Sequence, residues 1–248
     1  MDPRTRNLKL TIAYDGTRFV GWQRQASGES IQGLIEVAVS RLEGEPVTLH
    51  GAGRTDAGVH AEGQVASARV TFAHDCETAL RAINAQLPPE IRVVAAEDAA
   101  AEFHARFSAR GKMYRYQLAN VAVPSPFTRA YAWHVPDTLD LDAMRSAAAA
   151  FRGTHDFASF QSAGGEVSTT VRVLMRSAFV ERDGLLVYEV EGDGFLRHMV
   201  RAIVGTLVEV GRGRRLPRDV PALLDGGSRA QAGATAPAHG LILVKVEY

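Results

Sequence analysis

The chain has 248 residues, of which 46% are apolar and 23% charged, and this composition excludes an intrinsically disordered or collagen-like protein. The length suggests one large domain or two ordinary ones. A single cysteine, Cys76, excludes an internal disulfide framework, and the eight histidines lack the spacing of a zinc site. No run approaches the roughly 18 apolar residues of a membrane helix. We therefore expect a cytoplasmic protein that binds neither a membrane nor a metal.

Charge is balanced in total but uneven along the chain. The 28 basic residues offset 28 acidic ones, whereas a nucleic-acid binder is normally basic. Residues 103–136 contain no acid, and between residues 197 and 218 six arginines accompany a single acid, Glu209. The basic side chains of the first run are Arg106, Arg110, Lys112, Arg115 and Arg129. Guanidinium groups suit phosphates, although each run taken alone more often marks a solvated face.

Hydrophobic periodicity predicts two similar halves, each in the order β-α-β-β-α-β. The first half is predicted to hold strands over 8–14, 47–50, 64–72 and 91–96 and helices over 31–42, capped by Ser30, and 77–87. The second half is predicted to hold strands over 109–118, 171–181, 185–191 and 241–248, helices over 141–152 and 196–210, and a loop over 226–239.

This order is the ferredoxin-like arrangement of several RNA-binding modules, an antiparallel sheet with two helices on one face. We therefore expect an α+β protein of two ferredoxin-like (RRM-like) domains, residues 1–107 and 108–248. Their antiparallel sheets are expected to join around a central active-site cleft.

A glycine-rich segment, GAGRTDAGVHA at residues 51–61, lies between two predicted strands. Its glycines permit positive φ and close backbone approach, as a phosphate cradle would require. The segment lacks the G-K-[ST] of a P-loop and the third glycine of a dinucleotide site. There remain one carboxylate, Asp56, and one guanidinium, Arg54, on a bent backbone, and a tight turn without further function is the alternative.

A second segment, KMYRY at residues 112–116, lies on a predicted strand. Strand alternation predicts Lys112, Tyr114 and Tyr116 on one face. A cation and two rings on one face can hold a phosphate and stack a base, whereas tyrosines of a half-buried strand would serve the core.

The third segment, residues 192–207, leads into the helix predicted over 196–210, with a buried stripe that includes Phe195, Met199 and Ile203. Arg197 and Arg201 would lie one turn apart on the neighbouring face, where they can clamp a carboxylate or two phosphates. Surface arginines without a ligand are the alternative.

Taken together, the three segments resemble the tRNA pseudouridine synthase A family. GRTDAGVHA is similar to that family's catalytic-aspartate motif, K-x-Y-x-Y to its tyrosine strand, and G-x-x-F-L-R-x-M-V-R-x-I-V-G to its arginine helix. Further similar pieces are YDG at 14–16, F-x-GWQRQ at 19–25, FHAR at 103–106 and the terminal Gly240-Leu241. The resemblance spans nearly the whole chain, with the aspartate in the first predicted domain and the tyrosine strand and arginine helix in the second.

The resemblance implies isomerisation of uridine to pseudouridine at positions 38, 39 and 40 of the tRNA anticodon stem-loop, by a homodimer without a cofactor. It implies Asp56 as the catalytic carboxylate, which attacks C1′ of the ribose or C6 of the base, or abstracts a ribose proton. Arg54 would fill the space left by the flipped base, Tyr114 would lie against the uracil, and Arg201 would keep Asp56 ionised. The other substrate-binding residues expected are Arg106, Arg110, Lys112, Arg197 and Leu241, with the arginines of 212–218 along phosphates.

Two other classes of protein stay open at this point. A non-catalytic RNA-binding protein gives no reason for the carboxylate of Asp56 among guanidinium groups. A nucleosidase or glycosidase would pair two carboxylates, and residues 51–63 offer only Glu62 as a partner for Asp56.

Overall fold

The computed structural model describes residues 5–164 and 167–248, which divide into two compact units. The first unit is the described part of Met1–Arg110 together with Leu243–Tyr248, and the second unit is Gly111–Ile242. The predicted domain boundary after residue 107 lies three residues before this division. The closing residues, which the prediction places in the second domain, group with the first unit.

The first unit follows the order β-α-β-β-α-β. Its elements are β1 Arg6–Tyr14, α1 Ile31–Glu43, β2 His50–Gly51, β3 His60–Val70, α2 Cys76–Asn84 and β4 Ile91–Ala99. β1 is central and antiparallel to both β3 and β4, and the short β2 pairs with β3. Alternate residues of β1 are fully buried, namely Leu8, Leu10 and Ile12. Ile35 of α1 and Ile83 of α2 are fully buried as well. This alternation is what a half-buried strand requires.

Residues 243–248 complete the first unit. A side chain at Gly63 of β3 would collide with the carbonyl oxygen of Val244, so the two backbones approach closely there. The hydroxyl of Tyr248 donates to the carbonyl of Ala105 at 2.7 Å, and its ring packs on Phe103 with centroids 4.8 Å apart.

The second unit repeats the order with additional short strands. Its elements are β5 Gly111–Ala119, β6 Trp133–His134, α3 Leu141–Ala149, β7 Gly153–Asp156, β8 Val171–Arg182, β9 Leu185–Gly192, α4 Met199–Gly211 and the first residues of β10 Leu241–Glu247. β9 lies between β5 and β8 and is antiparallel to both, and β7 pairs with β8. Ile203, Val204 and Leu207 of α4 are fully buried, as expected for a helix that is apolar on nearly every face. The predicted α+β class with antiparallel strands is confirmed.

The strand predicted at 47–50 and the predicted start of α4 both differ from the structure, each for its own reason. The strand predicted at 47–50 is reduced to β2, because Val47 N donates to Ser40 Oγ and Leu49 N donates to Glu36 Oε1, at 2.9 and 3.0 Å. α4 begins at Met199 rather than residue 196, because His198 adopts a left-handed backbone with φ of 63°.

Candidate active site

A tight turn presents Asp56 between β2 and β3. Val59 N donates to the carbonyl of Asp56 at 3.2 Å, which closes a four-residue turn over Asp56–Val59. Gly58 stands at the third position with φ of 76°, the left-handed conformation that a type II turn requires there. The turn expected as the alternative to a functional segment is therefore present, and it places Asp56, half-buried, at its first position.

Thr55, the residue before Asp56, is fixed through both its side chain and its backbone. Its hydroxyl lies 2.8 Å from the hydroxyl of Tyr14, at the end of β1, and its carbonyl accepts from Trp22 N at 3.1 Å. Tyr14 and Thr55 are both buried. Burial raises the pKa of Tyr14 to about 12, so its hydroxyl is neutral at physiological pH.

Gly21 allows the segment before α1 to lie directly against the Asp56 loop. Its φ is 105°, and a Cβ at this position would lie 2.6 Å from the carbonyl oxygen of Thr55. Glycine therefore meets a conformational and a steric requirement at once. Nearby, Gly16 N donates to His60 Nδ1 at 3.1 Å, which joins the end of β1 to the start of β3.

Arg54 and Asp56 alternate with two anchored residues. Gly53 accepts a hydrogen bond from Gln64 Nε2 at 3.0 Å, and Thr55 is held by Tyr14 and Trp22. Arg54 is exposed, and its Nε donates to Gln23 Oε1 at 3.2 Å. The loop thus carries a guanidinium and a carboxylate on a backbone fixed beside each of them, which is the preorganisation that a catalytic group needs.

The side chains of β5, the strand that contains the KMYRY segment, differ in their surroundings. Tyr116 is fully buried and donates its hydroxyl to the carbonyl of Pro237 at 2.8 Å, and burial raises its pKa above the usual range. Tyr114 is buried edge-on against Phe195, with ring centroids 5.0 Å apart. Lys112 is half-buried on the same strand. Tyr116 therefore serves the core, as the alternative interpretation held.

The two arginines of the third segment do not share a helix, so the predicted helical spacing is wrong. Arg197 precedes α4, is exposed, and donates from Nη1 to the carbonyl of Ala163 at 2.8 Å. Arg201 lies in the first turn of α4 and donates from Nε to the carbonyl of Ala236 at 2.8 Å. The left-handed backbone of His198 separates the two positions.

The remaining predicted tRNA contacts lie in different settings. Arg106 and Arg110 are exposed, whereas Leu241 is buried at the start of β10. In the 212–218 run, Arg212 pairs with Asp137 at 2.6 Å and lowers the pKa of that carboxyl. Arg215 lies 3.3 Å from Glu209 and donates to the carbonyl of Gln231. Part of that run is therefore engaged in protein contacts, while Arg214 and Arg218 are exposed.

The residues that hold the loop have no role predicted from the sequence; they are Tyr14, Gln23, Thr55 and Gln64. Three of them lie inside or next to motifs that carry the resemblance, which is the signal that marks them. The ion pair between Asp56 and Arg201 stays a prediction.

The described residues were compared with the requirements of a metal site and of a membrane-spanning helix. Within residues 5–164 and 167–248, no group of three or more His, Cys, Asp or Glu side chains is arranged to hold a metal ion. Over those same residues, no helix combines the length and apolar character needed to cross a membrane.

Comparison with known proteins identifies the family. The family model described as tRNA pseudouridine synthase matches residues 10–108 and 147–248. The chain is 46% identical over 243 residues to tRNA pseudouridine synthase A of Moorella thermoacetica, covering 97% of this chain and 99% of that one. It is 47% identical over 241 residues to tRNA pseudouridine synthase A of Syntrophotalea carbinolica, covering 97% and 96%.

The chain therefore belongs to the tRNA pseudouridine synthase family, as its motifs predicted. It is an isomerase that binds tRNA and converts uridine to pseudouridine within it. The two alternatives, a non-catalytic RNA-binding protein and a nucleosidase or glycosidase, are thereby excluded.

Proposed function

We propose that this isomerase acts at positions 38, 39 and 40 of the tRNA anticodon stem-loop, with Asp56 as the catalytic carboxylate and without a cofactor. The observation that supports the role of Asp56 is its placement directly after Thr55, whose side chain and carbonyl are both hydrogen-bonded in the protein interior. A carboxylate on a fixed backbone approaches the reacting atom with little loss of conformational freedom.

The reaction makes modest demands on the protein. The N1–C1′ bond breaks, the uracil turns while held, and C5 joins C1′; C5 then loses a proton and N1 gains one, without net redox change. One ionised carboxylate is enough to start this sequence. Attack at C1′, attack at C6 and abstraction of a ribose proton all remain compatible with Asp56.

The target base is stacked in RNA and has to be extracted first, at a cost of a few kcal/mol. Arg54 is the residue proposed to fill the vacated space, because it is exposed and stands two residues before Asp56. Tyr114 is proposed to lie against the flipped uracil. Arg201 is proposed as the cation that keeps Asp56 ionised, since a nearby positive charge lowers a carboxyl pKa.

The other contacts to tRNA are proposed to come from basic side chains and one apolar residue, namely Arg106, Arg110, Lys112, Arg197 and Leu241. Contacts to phosphates fix orientation without reading sequence. Acceptance of three neighbouring positions then follows from recognition of tRNA shape. A homodimer is part of the proposal, and sedimentation equilibrium measures it directly.

The test uses a tRNA transcript with tritium at C5 of every uridine. Pseudouridine formation releases that tritium to water, and mapping of the product locates the modified positions. We expect release that corresponds to uridines at 38, 39 and 40, and no release from a matched transcript with cytidine at those three positions. Release from the cytidine transcript would overturn the proposed site of action.

A further inference from the structure

Residues 104–108 form a rigid turn on the first unit. Ser108 N donates to the carbonyl of His104 at 2.9 Å, and His104 N donates back to Ser108 Oγ at 3.1 Å. Ala105, which is fully buried, is held by Ser67 Oγ through its N–H and by the Tyr248 hydroxyl through its carbonyl. The turn is therefore anchored in the core, and the side chains it directs outward are held in place.

Three aromatic rings stack along this turn. The ring of His50 lies 4.9 Å from that of His104, and His104 lies 4.4 Å from Phe107, each pair tilted by 34°. We call His50, His104 and Phe107 the ring ladder. Phe107 is 77% exposed, although burial of a phenyl ring is strongly favourable. Exposure of the Phe107 ring therefore contributes nothing to the stability of the folded protein. A ligand that covers the ring would account for it.

His104 is a neutral member of the ladder. Its Nδ1 accepts hydrogen bonds from the N–H groups of Arg106 and Phe107, at 3.1 and 3.4 Å, and only an unprotonated Nδ1 can accept. Burial, His50 and Arg106 lower the pKa of His104 in the same direction. His104 is therefore neutral at neutral pH, the state in which its ring accepts these two hydrogen bonds from the turn.

Two exposed arginines lie in the same stretch of chain as His104 and Phe107. Arg106 and Arg110 are exposed, and the guanidinium of Arg106 lies 5.7 Å from the centre of the Phe107 ring. No acid occurs in residues 103–136. An exposed ring flanked by guanidinium groups matches an unpaired base flanked by phosphates.

We propose that Phe107, backed by His104 and His50, is a platform on which an unpaired base of the bound tRNA stacks, with Arg106 and Arg110 against the adjoining phosphates. This base is not the uridine that reacts, and the surface adds to tRNA affinity. The proposal rests on the tRNA substrate and is independent of the roles proposed for Asp56 and of positions 38, 39 and 40.

The first test compares tRNA dissociation constants of Phe107→Ala and Phe107→Trp. Loss of one stacked base weakens binding about five- to a hundredfold, and tryptophan preserves it because its ring also stacks. Phe127→Ala is the matched control, since Phe127 is also strongly exposed, at 89%, and lies outside the ladder. We expect that control to bind within about twofold of the unaltered protein. An equal loss in both alanine variants would overturn the proposal.

Salt dependence separates stacking from charge. Arg106→Ala is expected to reduce the slope of log affinity against log salt by about one, as loss of one phosphate contact does. Phe107→Ala is expected to weaken binding at every salt concentration with the slope unchanged. Unaltered affinity of Phe107→Ala would show that no base stacks there.

Fluorescence gives a readout that is independent of affinity. The emission of Phe107→Trp, after subtraction of the signal of the unaltered protein, is expected to quench saturably as tRNA is added. Constant emission at saturating tRNA would overturn the proposal. So would dissociation of an oligomer by Phe107→Ala in the absence of tRNA, because the ring would then serve a protein interface. Failure of the tritium test alone leaves these binding results valid, so the two proposals fail separately.

Discussion

The Nε of Arg54 donates to Oε1 of Gln23 at 3.2 Å, so the exposed guanidinium beside Asp56 is oriented by another segment of the chain. That segment is itself fixed on both sides of Gln23. Trp22 N donates to the carbonyl of Thr55, and Arg24 N donates to Gln32 Oε1, each at 3.1 Å. The side chain of Arg54 is therefore already oriented by Gln23 in the absence of RNA.

Arg54→Ala is expected to lower kcat/KM about ten- to a hundredfold on a uridine embedded in a duplex, because extraction of the base loses its replacement. On a substrate with an unpaired target uridine the loss should be much smaller. Gln23→Ala should show the same contrast with a smaller loss. Gln25→Ala is the control, because the side chain of Gln25 donates within its own segment, to Val20 O at 2.9 Å. Equal losses on both substrates would mean that Arg54 merely positions Asp56.

Asp56→Asn should preserve folding and tRNA affinity but reduce turnover by at least about a thousandfold, since an amide is a poor nucleophile and a poor base. Tritium release and filter binding measure the two properties on one preparation. Activity within about tenfold of the unaltered protein would end the catalytic assignment.

Gly21→Ala should destabilise the protein by about 2 kcal/mol or more and slow turnover, because the new methyl group combines an unfavourable φ with a clash against Thr55. Gly184→Ala is the matched control, since φ there is 74° but no atom lies within 4 Å of the added Cβ. The control should lose stability without loss of turnover. Urea unfolding and steady-state kinetics distinguish the cases, and normal turnover in Gly21→Ala would contradict close packing under the loop.

Tyr14 predicts a specific alkaline dependence of stability. Its pKa rises from 10.0 in the unfolded chain to about 12 in the folded protein, so the stabilisation is complete below pH 10 and is lost as pH rises toward 12. The free energy of unfolding should fall by up to about 3 kcal/mol over that interval from this group. Tyr14→Phe removes the group and should show a shallower decline in urea unfolding between pH 9 and 11.5.

The decline should persist in part in Tyr14→Phe, because burial also raises the pKa values of Tyr116, Tyr188 and Tyr248. At neutral pH the variant should lose about 1 kcal/mol, the net contribution of the hydrogen bond to Thr55. An alkaline slope identical to that of the unaltered protein would show that Tyr14 is accessible to hydroxide.

If Arg201 keeps Asp56 ionised, Arg201→Ala should reduce activity most at low pH, with partial recovery as pH rises. Arg201→Lys keeps the charge but loses the planar guanidinium group. Its activity should lie between that of the unaltered protein and that of Arg201→Ala. If Arg201 serves only to hold Ala236, stability should fall while the pH profile keeps its shape. Arg214→Ala is the control for a phosphate contact: it should weaken tRNA binding and flatten the salt dependence without altering the pH profile.

Periodicity predicted the elements themselves better than their ends. Ser30 caps α1 through Gly33 N, as expected from residue type and position. β3 ends at Val70, two residues before the predicted end, because the carboxylate of Glu43 accepts from Thr71 N and Phe72 N. α2 ends at Asn84, whose amide bonds both backbone groups of Val93 at 2.8 Å. Both ends depend on hydrogen bonds between side chains and backbone groups of other elements, which a local hydrophobic pattern does not contain.

The same distinction applies to the site. Asp56 and Arg54 are recognisable because their residue types are unusual within a glycine-rich turn. The hydroxyl pair of Tyr14 and Thr55 spans 41 residues and depends on the fold being present. The hydrophobic pattern predicts His198 as an ordinary helical residue, and its positive φ has no local signal in the sequence.

The grouping of residues 243–248 with the first unit has a consequence for biosynthesis. These residues follow the whole of the second unit in the chain, so a ribosome translates Gly111–Ile242 before the strand that lies against Gly63 exists. The first unit therefore stays incomplete while the second unit is translated and folds, because the carbonyl of Ala105 lacks its hydrogen bond from Tyr248 until then. Chaperone dependence during translation should accordingly be greatest for the part of the protein that is made first.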